Sequence, residues 1–418
     1  MDSASSDALG LYISIPFCRS KCTYCNFASG VYPASEHARY VDRLIAEMAA
    51  APAWAESMGV ELPRRVDTVY LGGGTPSLLA PELVARLFAA VRTEFALDAD
   101  TEITVECAPG QLAGPTLDAL AAAGVNRVSL GVQSFIDREA AVSGRLHSRA
   151  IVADDLRRLR AAGIDNLNLD LIAGLAGQTL ASWEESLAVL IGHTAPHASV
   201  YMLEVDEDSR LGREMLSGGG RYHAELVPSD DTIARMYTIA IERLEAAGLA
   251  QYEISNFARS GAPSLHNLRY WLRRPYLGLG LDASSALRAT AEPSPAAPRN
   301  SYPAEEADPG YVLRSTTTDD LTEYLAGPGP IETAWLSPDR QHEEAWFLGL
   351  RRNAGVDAAA LEREFGRARV APALLAAARL AEDGLVECDG PKVRLTPQGR
   401  LLSNDVFQEF LGLELQQI

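Results

Sequence analysis

The stretch Leu11-Tyr-Ile-Ser-Ile-Pro-Phe-Cys-Arg-Ser-Lys-Cys-Thr-Tyr-Cys25 governs how the rest of the chain is read. Its first half is a short apolar run stopped by Pro16, which reads as a strand. Its second half sets Cys18, Cys22 and Cys25 in the spacing C-x3-C-x2-C, directly after the C-terminal end of that strand. Three thiolates on one short loop can hold three irons of a [4Fe–4S] cluster, leaving the fourth iron without a protein ligand. Structural zinc is the alternative. It wants four ligands, normally as two separated pairs, and no second Cys/His pair is visible in the sequence. Cys107 and Cys388 stand alone and read as small semi-buried residues. Five cysteines make a poor disulfide framework, so a reducing compartment is expected.

Downstream, strand-like and helix-like segments alternate. Strands are expected at Leu11 to Ile15, Thr68 to Leu71, Glu102 to Glu106, Val128 to Val132, Leu167 to Ile172 and Ala198 to Leu203. Helices are expected at Glu36 to Ala50, Pro81 to Phe95, Pro115 to Ala123, Ser148 to Ala162, Leu180 to Ile191 and Asp231 to Ala247. Several of these helices stop at a glycine suited to the C′ position, such as Gly124 and Gly163. Six strand–helix rounds predict an α/β fold with a parallel sheet under helices, in the form of an open, partial (β/α)6 barrel. In such barrels the chemistry sits at the C-terminal ends of the strands.

Two stretches break the rhythm. Glu207 to Asp231 contains Gly218, Gly219 and Gly220 and is expected to be a mobile surface insertion. Ala289 to Gly310 holds five prolines and reads as a long loop. The tail is expected to carry helices at Glu343 to Arg352, Asp357 to Phe365 and Ala371 to Glu382. A hairpin around Asp389-Gly390 and a last helix from Pro397 to Leu411 follow. This pattern suggests a winged-helix-like module. The expected organisation is a barrel over 1–288, a Pro-rich loop and barrel extension over 289–337, and the module over 338–418.

Composition narrows the function classes. Lys and Arg number 37 against 56 Asp and Glu, a net charge of −19, which argues against binding nucleic acid through the bulk field. The module from Pro338 onward carries 10 basic and 13 acidic residues, so docking is expected of it rather than DNA reading. The opening Met1 to Gly10 has no basic residue and no apolar run of a secretory signal, and no membrane span is visible. A soluble, cytoplasmic protein is expected.

With its cysteine loop on the first strand, the sequence resembles the radical S-adenosylmethionine superfamily. The resemblance implies a [4Fe–4S] cluster on Cys18, Cys22 and Cys25, whose open iron is chelated by the amino and carboxylate groups of S-adenosylmethionine. It also implies cosubstrate contacts at successive strand ends. Gly73, Gly74 and Thr75, in Gly72-Gly-Gly-Thr-Pro76, would meet the methionine amino group. Glu106, Gln133 and Asp170 would serve the ribose hydroxyls, Arg145 the methionine carboxylate, and Tyr12 and Tyr24 the cluster and adenine region.

Longer strings narrow the resemblance. Gly131-Val-Gln-Ser-Phe135, Asp170-Leu-Ile-Ala-Gly-Leu-Ala-Gly-Gln178 and Tyr252-Glu-Ile-Ser-Asn-Phe-Ala258 look like the oxygen-independent coproporphyrinogen III oxidase family. In the oxidase branch, radical chemistry decarboxylates two propionates of coproporphyrinogen III. That branch carries a fourth cysteine where this chain has Phe27, and a longer arm than the 17 residues before Cys18. Both departures count against oxidase activity, although the radical machinery is present. The other branch comprises HemW-type haem chaperones, with C-x3-C-x2-C-x-F and an H-N-x-x-Y-W string, here His266-Asn-Leu-Arg-Tyr-Trp271. This branch implies haem as a further cofactor, with His266 as a candidate contact; the alternative is that His266 and Asn267 brace a barrel loop while Tyr270 and Trp271 fill the interface with the tail. It also implies a haem-accepting partner, such as a membrane haem protein, and an electron donor such as flavodoxin or ferredoxin. Relatives often have a histidine where Ser284 stands, so haem is expected to be held differently here if that histidine contributes.

Overall fold

The computed structural model describes residues 8–207, 209–290, 310–327 and 331–413. Six parallel strands form its spine: β1 (Leu9–Ile15), β2 (Arg65–Gly73), β3 (Ala96–Cys107), β4 (Arg127–Gln133), β5 (Asn166–Ala173) and β6 (His197–Met202). They lie in sequence order, each joined to the next by helices, which makes an α/β partial barrel. The strands are apolar runs because helices cover one face and neighbouring strands the edges. In β1, Leu9, Leu11, Ile13 and Ile15 are all fully buried.

The barrel does not close on itself. Among the described residues the sheet has twelve strands, against the six the sequence leads one to expect. Beyond β6 it continues through β8 (Asn256–Ala258) and β7 (Ala250–Glu253), both antiparallel. On the other side, β9 (Tyr276–Leu279) runs parallel to β1. It is followed by the antiparallel β10 (Ser284–Arg288), β11 (Val312–Thr317) and β12 (Ile331–Leu336). These added strands are short and carry mixed residues, so hydrophobic period alone does not reveal them. The five prolines of the Ala289 to Gly310 stretch lie outside the described residues.

Helix boundaries differ in instructive ways. The first helix spans Ala34–Met58, well beyond Ala50, because Ala51 and Ala55 carry its buried face onward. It stops at Gly59, whose left-handed φ of 70° suits glycine. The expected mobile insertion instead holds a helix, Arg210–Ser217. Glu214 on that helix accepts hydrogen bonds from the backbone amides of Arg221, Tyr222 and Ala224, which folds the glycine-rich turn back on it. The helix expected over Pro397 to Leu411 is two, Pro397–Leu401 and Ser403–Gln408, broken at Leu402.

The C-terminal part packs three helices, Pro338–Leu350, Ala358–Phe365 and Arg367–Glu382, on a small antiparallel sheet. That sheet is β13 (Val356–Asp357), β15 (Lys392–Leu395) and β14 (Val386–Asp389), in that order. Helices followed by a hairpin make this part winged-helix-like. It has its own core, in which Trp346 stacks on Phe410 at 4.9 Å. It is tied to the barrel by backbone bonds from Ile254 N to Arg351 O and from Asn353 N to Tyr252 O, both 3.0 Å. Arg351 also lies over the Trp271 ring, 4.4 Å from its centroid. Among the described residues, no helix is long and apolar enough to cross a membrane.

Candidate cofactor site

The cysteine loop is a braced structure. Cys18 N donates to Gly30 O at 2.8 Å and Gly30 N to Pro16 O at 2.9 Å, closing the loop at its base. Lys21 Nζ reaches across it to Phe27 O at 2.6 Å and Ser29 O at 2.9 Å. The Arg210–Ser217 helix clamps the loop from outside: Leu211 N donates to Thr23 O at 2.8 Å and Arg210 to Lys21 O at 3.2 Å. Asn26 adds a bond to Asp206 at 2.9 Å. This clamp escapes a sequence reading because Gly218 to Gly220 dominates the look of that stretch.

Cys18, Cys22 and Cys25 are half-buried and line one cavity of about 790 Å³ at the C-terminal ends of the strands. Among the described residues, no three His, Cys, Asp or Glu side chains are spaced for a single metal ion. Cys18, Cys22 and Cys25 come from one loop and line one cavity, a donor set that suits a cluster with one iron per thiolate. Burial raises the Cys18 thiol above its ordinary range. Cys107 also faces this cavity, and burial pushes its pKa up to about 12, which keeps it a thiol. Cys388 is exposed and remote in sequence from every other cysteine.

The same cavity gathers Gly73, Gly74, Thr75, Glu106, Gln133, Arg145 and Asp170. Gly74 N donates to Ile15 O and Thr75 N to Phe17 O, so the glycine turn is stitched to the cysteine loop. A Cβ on Gly74 would sit 2.8 Å from the backbone of Ile15 and Phe17, which leaves room only for glycine. Thr75 Oγ1 lies 3.9 Å from Cys18 Sγ. Arg145 follows a short helix, Asp137–Val142, and donates to Tyr24 OH at 3.0 Å. Gln133 holds a left-handed φ of 67°, a strained conformation for a non-glycine residue. Its Oε1 and the Arg145 Nε are buried without hydrogen-bond partners. With the Arg145 guanidinium, the Glu106 and Asp170 carboxylates and the Gln133 amide around one cavity, the lining fits a polar, charged ligand such as S-adenosylmethionine.

Tyr12 stands apart from this group. It lines an adjoining cavity of about 320 Å³ with Tyr270, Tyr276, Asp282 and Ser284, and Gly73 and Phe27 border both spaces.

The cavity floor holds a polar network that the sequence reading missed. Ser129 Oγ donates to Asp170 Oδ2 at 2.9 Å and Asn168 Nδ2 to Asp170 Oδ1 at 2.6 Å. Behind it, His197 Nδ1 meets Asn168 Oδ1 at 2.6 Å and its Nε2 meets Tyr252 OH at 2.9 Å. Positions 129, 131 and 133 on β4 and 168, 170 and 172 on β5 all border the cavity. The period of two along a strand was the available signal. Glu106 accepts from Tyr70 OH at 2.8 Å, and burial lifts its pKa to about 7.

His266, the candidate haem contact, is buried and engaged within the protein. Its ring is 1% exposed. Nδ1 meets Thr68 Oγ1 at 3.0 Å and Nε2 meets Tyr270 OH at 2.8 Å. Its backbone amide donates to Glu102. With both ring nitrogens engaged, His266 braces the barrel end, and as folded it offers no lone pair to a metal. Burial first, and Arg127 second, push its pKa down to about 3, so the ring stays neutral.

An open parallel barrel with three cysteines after its first strand, facing polar residues from the next four, defines a radical S-adenosylmethionine protein. The Radical SAM superfamily pattern matches residues 12–190, and the HemN C-terminal domain pattern matches residues 336–402. The chain is 35% identical to the haem chaperone HemW of Bacillus subtilis over 96% of this chain and 98% of that one. It is 33% identical to the haem chaperone HemW of Mycobacterium tuberculosis over 96% and 95%. The solved coproporphyrinogen III oxidase HemN of Escherichia coli shares the fold, with a TM-score of 0.78 at 23% identity. That match covers 99% of this chain and 92% of the solved one. The chain belongs to the HemW family of radical S-adenosylmethionine proteins. Membership implies a [4Fe–4S] cluster and S-adenosylmethionine as cofactors.

Proposed function

We propose that this protein binds haem and hands it to an acceptor protein, with the cluster and S-adenosylmethionine as resident cofactors. The observation that carries this reading is Phe27. Its side chain is 62% exposed at the rim shared by the first two cavities, where the oxidase branch carries a fourth cysteine. The full-length similarity to proteins named haem chaperones supports the same reading.

In this reading Cys18, Cys22 and Cys25 hold the cluster. Lys21 and the Arg210–Ser217 helix keep the cysteine loop in shape. Gly73, Gly74 and Thr75 offer backbone and hydroxyl groups to the methionine end, and Arg145 supplies a cation for its carboxylate. Glu106, Gln133 and Asp170 accept from or donate to the ribose, with Ser129 and Asn168 fixing the Asp170 carboxylate. Tyr12 serves from the adjoining cavity across Gly73. When bound, the two cofactors supply one-electron chemistry. The reading includes a cytoplasmic location, an electron donor of the flavodoxin or ferredoxin class and a membrane haem protein among the acceptors.

Transfer is the test. Haem-loaded protein is mixed with an apo b-type cytochrome, and the Soret band is followed. Loss of haem from this chain with matching gain by the acceptor supports the proposal. Haem that never leaves, or leaves at the rate of free dissociation, contradicts it.

A further inference from the structure

A third cavity, of about 540 Å³, lies where the barrel edge meets the C-terminal helices. Four arginines line it: Arg273, Arg274, Arg288 and Arg314. Two are neutralised. Arg273 forms a forked pair with Glu364 at 2.8 and 2.9 Å, and Arg314 pairs with Glu344 at 2.8 Å. Among the described residues, no carboxylate pairs with Arg274 or Arg288. Among the described residues, two arginines without a carboxylate partner therefore line one cavity, in a chain of net charge −19. Cations grouped against such a background concentrate anions locally.

Three aromatic residues share the lining with aliphatic ones, Leu272, Val312 and Leu348 among them. Tyr270, Trp271 and Tyr276 come from the barrel, with Tyr270 and Tyr276 edge to face at 4.7 Å. Aromatic walls favour a flat, conjugated ligand, and arginine forks favour carboxylates. The volume falls within the range of small-molecule and cofactor pockets, and domain seams are a common place for them.

We infer that this cavity takes a flat aromatic dianion, with its two carboxylates on Arg274 and Arg288. The inference rests on the haem reading above, under which the ligand is haem and the carboxylates are its propionates. Tyr270 borders both this cavity and the second one, and Phe27 borders the second and the first. Haem held here occupies a different cavity from the cysteine loop.

The test is a haem titration of the full-length, cluster-reconstituted protein beside the R274E/R288E double variant. Arg157→Glu, at an exposed helical pair with Asp154, is the control for net charge. Haem dimethyl ester, which lacks the carboxylates, is titrated in parallel. The expected result is at least a tenfold loss of haem affinity in the double variant and less than twofold in the control. The ester should bind wild type more weakly than haem does, and bind both proteins alike. Unchanged haem affinity in the double variant, with its fold intact by circular dichroism, overturns the site while leaving the haem reading standing. Wild type that takes up no haem overturns the haem reading, and this inference with it.

Discussion

Tyr70 donates its phenolic proton to Glu106 across 2.8 Å in the wall of the cysteine cavity. That bond favours the carboxylate, yet burial outweighs it, and the nearby Asp170 carboxylate adds to the rise. The Glu106 pKa reaches about 7 in the folded protein, against an ordinary 4.5. The unfolded chain therefore loses this proton first as pH rises. Stability contributed by protonated Glu106 is complete below about pH 4.5, declines as pH climbs and is gone above about pH 7. Glu106→Gln keeps an acceptor for Tyr70 and removes the titration. Urea unfolding of the cofactor-free variant should show a flatter stability profile between these limits than wild type.

His266 titrates with the opposite sense. The folded ring resists protonation down to about pH 3, whereas the unfolded ring takes a proton near 6.5. Its contribution is full above pH 6.5 and is lost as pH falls toward 3. His266→Ala removes the ring partner of the Tyr270 hydroxyl and one of two partners of Thr68 Oγ1, the other being Arg269 Nε, and should cost about 1–3 kcal/mol. Where the variant folds, its haem spectrum should match wild type. A changed axial-ligand signature in electron paramagnetic resonance would return His266 to the haem site.

Gly74→Ala tests the link between the glycine turn and the cysteine loop. Its Cβ would press on backbone atoms of Ile15 and Phe17 at 2.8 Å, where no flexible side chain can give way. The expected cost is about 1–3 kcal/mol in denaturant unfolding. Iron incorporation should fall with it, because the same backbone positions the loop.

Cysteine replacement should sort four of the five thiols cleanly. Cys18→Ser, Cys22→Ser and Cys25→Ser each abolish the visible charge-transfer absorbance and the iron content of reconstituted protein. Cys388→Ser, at an exposed position, leaves both intact. Lys21→Met removes two bonds to loop carbonyls. It should shorten the lifetime of the cluster in air several-fold while preserving its initial yield.

How much of this was legible in the sequence depends on how local the signal is. The six barrel strands and their helices follow from runs of apolar residues ended by glycine or proline, such as Val128 to Val132 and Ala123-Gly124. The cavity residues from Gly73 to Asp170, apart from Arg145 beyond the helix Asp137–Val142, are legible because each lies on or just after one of those strands. The clamp from Leu211 onto Thr23 is not, since it joins residues far apart in the chain through a backbone bond that any residue type can make. The strands at 312–317 and 331–336 carry polar residues and pair only through distant partners. Tyr12 illustrates the limit of a motif. The motif fixes its place on β1, but the packing of Tyr270 and Tyr276 places it in a neighbouring cavity. For His266, a bracing role is one of two sequence readings, but its partners at Thr68 and Glu102 are distant in sequence, so only the fold identifies them.

The most direct test of the account uses one batch of anaerobically reconstituted protein with reductant and S-adenosylmethionine. Half is titrated with haem and half is assayed for turnover of coproporphyrinogen III. Haem binding near one per chain with no porphyrin product is the predicted result, and it makes Phe27 the informative departure from the oxidase branch. Formation of protoporphyrinogen IX would contradict the account and show that three cysteines suffice for the decarboxylation.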